Sequence, residues 1–238
     1  MSVIDKYVPQ SLGDVIIPNT KIAQTLGHVA NGNLERHLIL HGPSGTGKST
    51  IARLILAQLE ATKVVQVETD YNHVLGQKNV WAHLETARHI LSWQATNGKY
   101  IMHFDEFDKC KHTYEKFWNA LDRFKKSDVM LIATTNNLHK LPTPLQSRCT
   151  VLHIDSLTVQ DVLQFAINVL DDEGIYLNVP YIIGRLNIVA HTGDFRKYCD
   201  QLDEILVNHT SGFIPQHHYV QTPPITTQAN CVSTSTVT

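Results

Sequence analysis

A chain of 238 residues, 42% hydrophobic and 18% charged with a net charge of −2, is long enough for an α/β core plus a small second unit, and lacks the basic composition of a protein that binds nucleic acid through bulk charge. Its four cysteines (Cys110, Cys149, Cys199, Cys231) are far apart and form no C-x-x-C pair, which argues against zinc and a disulfide framework and fits a reducing cytoplasm. The start MSVIDKYVPQ has no apolar leader core and no run approaches ~18 apolar residues, so neither signal peptide nor membrane span is expected.

In chain order, 5–14 (DKYVPQSLGD) reads as a loop. Thr20 then looks like the N-cap of a helix that runs to about Ala30 and stops at Asn31-Gly32. Leu38, Ile39 and Leu40 read as a buried strand leading into HGPSGTGKST, in which Gly42, Gly47, Lys48 and Ser49 satisfy G-x-x-x-x-G-K-[ST]. An amphipathic helix follows through Ile51, Leu54, Ile55 and Leu59. Further strands are expected at Val64–Val67, Tyr100–Phe104, Val129–Ala133 and Val151–Ile154, with helices over Asn79–Gln94 and Tyr114–Phe124. Strands alternating with helices mean a mostly parallel α/β sheet over residues 1–155. After Asp155 the strands stop. Thr158 with Asp161 resembles a capping box, a second helix follows Pro180, and Asp194 opens a third, giving a three-helix unit over 156–210. Residues 211–238, rich in Thr, Ser, Pro and Gln, read as a disordered tail.

The chemistry starts at the glycines. Gly42, Gly45 and Gly47 can adopt backbone conformations closed to residues with a Cβ, so successive N–H groups can cup an anion at the positive end of the following helix. Lys48 suits the β- and γ-phosphates of a nucleoside triphosphate and Ser49 suits Mg²⁺. The whole loop, with Pro43, Ser44, Thr46 and Thr50, is the expected ATP cradle. YIMHFDEFD supplies the second half: Asp105 at a strand end for the metal and Glu106 to orient and deprotonate the attacking water. Asn136, after another buried strand, suits the γ-phosphate or that water, although an Asn there is more often a turn former. The cations Lys109, Lys111, Lys116, Arg123, Lys125 and Lys126 read first as a solvated helix face. Fourteen histidines are many, but His103 and the His217-His218 pair have no metal-ligand partners at useful spacing.

On these motifs the chain resembles AAA+ ATPases, and most closely the ATPase subunits of sliding-clamp loaders, over roughly residues 4–210. Lys6-Tyr7-x-Pro9 with Leu12-x-Asp14, the Ser147-Arg148-Cys149 triplet and Gly193-Asp194-Phe195-Arg196 carry the resemblance; DEFDK and the 194–203 pattern are most similar to the T-even bacteriophage branch. The resemblance implies a P-loop ATPase fold with a helical lid, and ATP hydrolysis with Mg²⁺. It makes Arg148 the arginine finger acting on a neighbouring subunit's site, Arg196 a lid residue reaching its own site's phosphates, and Val8, Pro9, Ile16 and Ile17 the adenine contacts. It implies a sliding clamp, primer–template DNA and related AAA+ subunits as partners, no membrane, and a cytoplasmic location. The basic cluster after the acids would then contact the DNA backbone. Three departures stand out: Val8 where the family usually has Arg; Asn72 where members often carry the basic residue that couples DNA to the catalytic Glu, with Lys78 a possible substitute; and a short polar tail in place of a helical collar domain. The rival readings are an AAA+ ATPase that assembles on DNA or remodels a protein without a clamp, and a non-hydrolysing assembly switch.

Overall fold

The computed structural model describes residues 1–62, 65–94 and 98–221. Strands β1 (Leu38–His41), β2 (Val65–Glu68), β3 (Lys99–Phe104), β4 (Val129–Thr135) and β5 (Thr150–His153) form one parallel sheet in the order β2-β3-β4-β1-β5. Val64, the expected start of β2, lies outside the described residues. β4 is buried along its whole length, as an unbroken β-branched and apolar run must be when helices cover both faces of a parallel sheet.

Alternation along the strands sends side chains to two cores. Leu38 and Leu40 of β1 join Ile101, Met130 and Ile132 on one face, beneath α2 (Thr20–Ala30) and α3 (Lys48–Glu60), which contribute Leu26, Val29, Ile51, Ile55 and Leu59. Ile39 points to the other face with Met102, Phe104, Leu131 and Ala133. That face is covered by α4 (Tyr71–Leu75), α5 (Val80–Gln94) and α6 (Glu115–Leu121). The expected helix over Tyr114–Phe124 is shorter, because Asp122 ends its last turn. The neighbouring order β3-β4-β1 matters most for function. It sets the carboxyl ends of three strands side by side, the edge at which parallel α/β sheets bind ligands.

A second unit gathers α8 (Val159–Asp172), α9 (Val179–Asn187) and α10 (Phe195–Thr210), following α7 (Thr143–Gln146) and β5. The expected capping box opens α8: the Asp161 amide donates to Thr158 Oγ1 at 3.3 Å, and the Thr158 amide to Asp161 Oδ2 at 2.8 Å. The boundaries differ from the 155/156 and 210/211 divisions expected from sequence. Residues 1–6 belong with the helices: 3–6 form a short helix, α1 (Val3–Lys6), where a loop was expected from Asp5. Val3 is buried, its amide donates to Asp203 Oδ1 at 2.8 Å, and Lys6 pairs with Glu173. Residues 211–221 are likewise part of the unit rather than a tail. Ile214 is buried, Leu177 and Tyr219 form an antiparallel bridge, and the Val220 amide donates to the Tyr176 carbonyl at 3.0 Å. Composition missed this because backbone pairing with 176–178 anchors the segment, and it needs few apolar side chains. Residues 222–238, the rest of the expected tail, lie outside the described residues. Residues 193–195 cluster with the α/β unit.

His37 locks β1 to β4. Its side chain is buried and Nδ1 accepts from the Leu131 amide at 3.1 Å. Burial, then the charge of Lys126, pushes its pKa down to about 4. Between the ordinary value of 6.5 and 4 the unfolded chain takes up a proton that the folded chain refuses, so this contribution to stability is complete above pH 6.5 and is lost as pH falls toward 4. Urea unfolding at pH 7 and pH 4.5 tests it. The native protein is expected to lose roughly 2–3 kcal/mol more than His37→Asn over that interval. Equal losses would mean that His37 is not held neutral.

Candidate active site

β1 delivers the chain into the loop at 42–47, which turns on three glycines with φ of 145° (Gly42), 76° (Gly45) and 86° (Gly47). Two of them also need their missing Cβ. A Cβ on Gly42 would sit 2.2 Å from the Ile154 carbonyl oxygen, and one on Gly45 would sit 1.8 Å from the Asp194 carboxylate. Gly47 N-caps α3, whose N-terminus faces the cradle. Lys48, buried, curls back so that Nζ donates to the carbonyls of Gly42 (2.9 Å) and Pro43 (2.5 Å). The Thr46 hydroxyl also turns inward, to the Pro43 carbonyl at 3.1 Å, while Pro43 and Ser44 stay exposed. Thr50 accepts a long bond, 3.4 Å, from Arg53.

The acidic half converges on one oxygen. Asp105 Oδ1 accepts from Ser49 Oγ at 2.7 Å and from Thr134 Oγ1 at the end of β4; Thr134 Oγ1 in turn accepts from the Glu106 amide at 3.1 Å. Burial alone would raise the Asp105 pKa, but the Thr134 and Ser49 hydroxyls, His103 and the Glu106 amide outweigh it, and the carboxyl is held below its ordinary range. Glu106 is left-handed (φ 49°, ψ 45°), the one non-glycine residue with positive φ among the described residues. Such strain in a bulky residue needs a surrounding structure to impose it, and here the hydrogen bond that the Glu106 amide donates to Thr134 Oγ1 is part of that structure. The Glu106 carboxylate is half-exposed and paired with Lys109.

Other expected residues fall in different places. Asn136 follows β4 and is exposed. Arg148 lies between α7 and β5, and its guanidinium is committed to Asp122 and Pro144. Nε donates to Asp122 Oδ1 at 2.8 Å, a second nitrogen to Oδ2 at 2.5 Å, and the third to the Pro144 carbonyl at 2.6 Å. Arg196 lies on the first turn of α10, in the helical unit. Val8 is half-exposed, while Pro9, Ile16 and Ile17 are partly buried.

Five residues were not singled out for this site from sequence. Thr134 is one. Asp108 is nearly buried, accepts from Thr135 Oγ1 at 2.6 Å and lies 3.8 Å from Lys140 Nζ. Asp122 partners Arg148. Val15 approaches the loop, its Cγ1 3.8 Å from where a Gly47 Cβ would stand. Asp194, read as a helix cap, has its carboxylate against Gly45, and the adjacent Phe195 amide donates to the Gly45 carbonyl at 3.1 Å. The Thr134-Thr135 pair before Asn136 was the available signal for two of them, since consecutive hydroxyls ending a buried strand need partners.

Chemically, loop amides and Lys48 make an anion cradle, and Ser49 with ionised Asp105 is the hard-oxygen donor set that suits Mg²⁺. Glu106 is a half-exposed carboxylate whose partner is Lys109. Residues 38–155 match the family model of the ATPase family associated with various cellular activities (AAA). The sliding-clamp-loader large subunit of Escherichia phage RB69 is 26% identical over 211 residues, 84% of this chain and 62% of that one. Replication factor C subunit 4 of Encephalitozoon cuniculi is 22% identical over 219 residues, 92% of this chain and 68% of that one. This chain thus spans about two thirds or less of such relatives. In fold it is similar to the Thermotoga maritima RuvB Holliday junction branch migration motor, with a TM-score of 0.59 at 18% identity, covering 87% of this chain and 67% of the other.

The glycine geometry predicts unequal costs in urea unfolding without nucleotide. Gly47→Ala meets only an unfavourable φ and is expected to cost about 1–2 kcal/mol. Gly42→Ala adds a collision with backbone and is expected to cost ~3 kcal/mol or more. Equal costs would mean that the loop relaxes around either Cβ.

Proposed function

Because residues 38–155 form an AAA ATPase domain, we propose that this chain is an ATP-hydrolysing clamp-loader subunit, opening or loading a sliding clamp on primer–template DNA in the cytoplasm. The observation that carries the catalytic part is the Ser49–Asp105–Thr134 cluster beside the Lys48 cradle. The names of the relatives support the biological setting.

In this reading the loop amides of 42–49 and Lys48 hold the phosphates, with Pro43, Ser44, Thr46 and Thr50 completing the loop. Ser49 and Asp105 hold Mg²⁺, which supplies charge to neutralise the phosphates. Lys48, whose ammonium already points to the Gly42 and Pro43 carbonyls beside the loop, turns to phosphate oxygens, a charge-assisted bond. Val8, Pro9, Ile16 and Ile17 border the adenine. Asn136 and Glu106 position water, and Glu106 takes its proton. Glu106 must first leave Lys109, so whatever draws Lys109 away, a DNA phosphate included, favours turnover. Arg148 serves a neighbouring subunit's site and Arg196 the phosphates of its own.

A basic groove supports the DNA partner. Lys78, Trp81, Lys116, Asn119 and Arg123 line a cavity of about 340 Å³, and the Arg123 guanidinium stacks 5.4 Å over the Trp81 ring. Three cations in one concavity suit a phosphodiester backbone, and Lys78 stands among them.

Steady-state ATPase with clamp and primed DNA, alongside nucleotide-binding titrations, tests this reading. Lys48→Ala is expected to lose ATP binding. Glu106→Gln is expected to keep binding and to turn over at least ~100-fold more slowly. Arg148→Ala is expected to bind ATP normally yet fail to hydrolyse it in the assembled state. Normal turnover by Arg148→Ala would sink the trans-acting role, and stimulation by DNA with none by the clamp would favour an AAA+ ATPase of another task.

A further inference from the structure

Away from the phosphate loop, at the carboxyl end of edge strand β2, three potential ligands come together from three elements. Glu68 ends β2, His73 lies in α4 and His83 in the first turns of α5. One ligand atom from each lies within 4.8 Å of the others. We propose that Glu68, His73 and His83 form a binding site for a first-row divalent transition metal, zinc by preference, with a fourth position open to water.

Local structure holds each ligand in place. The Asp70 amide donates to Glu68 Oε1 at 2.9 Å, which leaves Oε2 directed at His73 Nδ1, 3.0 Å away. Asp70 also caps α4, accepting from the amides of Asn72 (2.8 Å) and His73 (3.2 Å), and so fixes where the His73 ring stands. Asn79 accepts from the Ala82 amide at 3.1 Å at the start of α5, just before His83. The two imidazoles meet edge-on, with centroids 5.0 Å apart and planes at 87°.

His83 is the most telling of the three. Its Nε2 is shut off from solvent and makes no hydrogen bond. A buried, unpartnered imidazole nitrogen is costly, and a ligand is one way to satisfy it.

Two imidazoles and one carboxylate are the donor set of open zinc sites, whereas Mg²⁺ and Ca²⁺ prefer oxygen. Tetrahedral ligands around zinc stand ~3.4 Å apart, between the 3.0 Å from Glu68 Oε2 to His73 Nδ1 and the 4.8 Å that bounds the set, so small side-chain rotations fit the three to one ion. On binding, the His73 proton transfers from Nδ1 to Nε2, on a side chain half-open to water. α4 also carries Tyr71, whose ring packs on Phe104 and Phe107 at centroid distances of 6.0 and 5.9 Å. Those phenylalanines bracket Asp105 and Glu106, so a metal fixing α4 would brace the acids.

The test titrates the chelator-stripped full chain, without nucleotide, with Zn²⁺ against a chromophoric competitor, and repeats the titration with Co²⁺ to read its visible spectrum. One equivalent is expected to bind in the presence of millimolar Mg²⁺, with an intense, low-coordinate cobalt band, and to raise the melting temperature. His73→Ala, on a half-exposed residue, and His83→Ala are each expected to weaken binding at least tenfold and to abolish the cobalt band. The double substitution His217→Ala with His218→Ala is expected to leave both unchanged. Absence of stoichiometric binding, binding indifferent to His73→Ala, or binding lost only with His217 and His218 would overturn the proposal. Each of these outcomes is independent of whether the chain hydrolyses ATP.

Discussion

A single carboxylate oxygen, Oδ1 of Asp105, accepts hydroxyl hydrogen bonds from Ser49 on α3 and from Thr134 on β4. Three elements that are distant in sequence are thereby tied at one point, and the order β3-β4-β1 is what makes the meeting possible. Thr134 also holds the Glu106 amide, so the same hydroxyl bridges the residue that suits a metal and the residue that suits a water. Pre-paid ordering of this kind is how phosphoryl-transfer sites work, since positioning and charge do most of the catalysis. The left-handed backbone of Glu106 costs of order 1–3 kcal/mol, and the dense bonding around it offsets that strain.

Features set by local rules were legible in the sequence. The phosphate loop could be read because glycine spacing, a preceding apolar strand and a following amphipathic helix are consecutive in the chain, and Thr158 and Asp161 because a capping box spans four residues. Partner choice was not legible. Nothing near Arg148 in sequence points to Asp122, and nothing near Asp108 points to Thr135 or Lys140, because these pairs form only once strands and helices are stacked. Glu68, His73 and His83 escaped for the same reason: their spacing fits no metal motif, and only the folding of α4 and α5 over the end of β2 unites them.

The errors at the two ends of the chain have one cause. A short segment with few apolar residues looks unstructured when judged by composition, because too little surface is buried to offset its ordering entropy. Residues 3–6 and 211–221 are ordered by contacts to a framework already folded: Val3 and Ile214 are buried, the Val3 amide donates to Asp203, Lys6 pairs with Glu173, and Tyr219 bridges to Leu177. The framework bears the entropy cost, and the segment adds only its own increment.

The pairing of Arg148 with Asp122 shows how magnitudes separate what is fixed from what can move. The geometry is bidentate, yet the Asp122 side chain is 49% exposed. Half-exposed pairs of this sort contribute about 1 kcal/mol or less, because water screens the attraction and holding two side chains costs entropy. In the proposed function, displacing Arg148 toward a phosphate on a neighbouring subunit breaks this pair and the bond to the Pro144 carbonyl, both at the surface. A charge-assisted bond to a multiply charged, partly desolvated anion is worth more than the contact it replaces. Asp105 is exposed as well but tied at more points, since moving it would take the acceptor from two hydroxyls, one of them on buried Thr134. In the proposed function, then, the metal-side acid is built to stay still, and the residue offered to a neighbour is held only loosely enough to be given up.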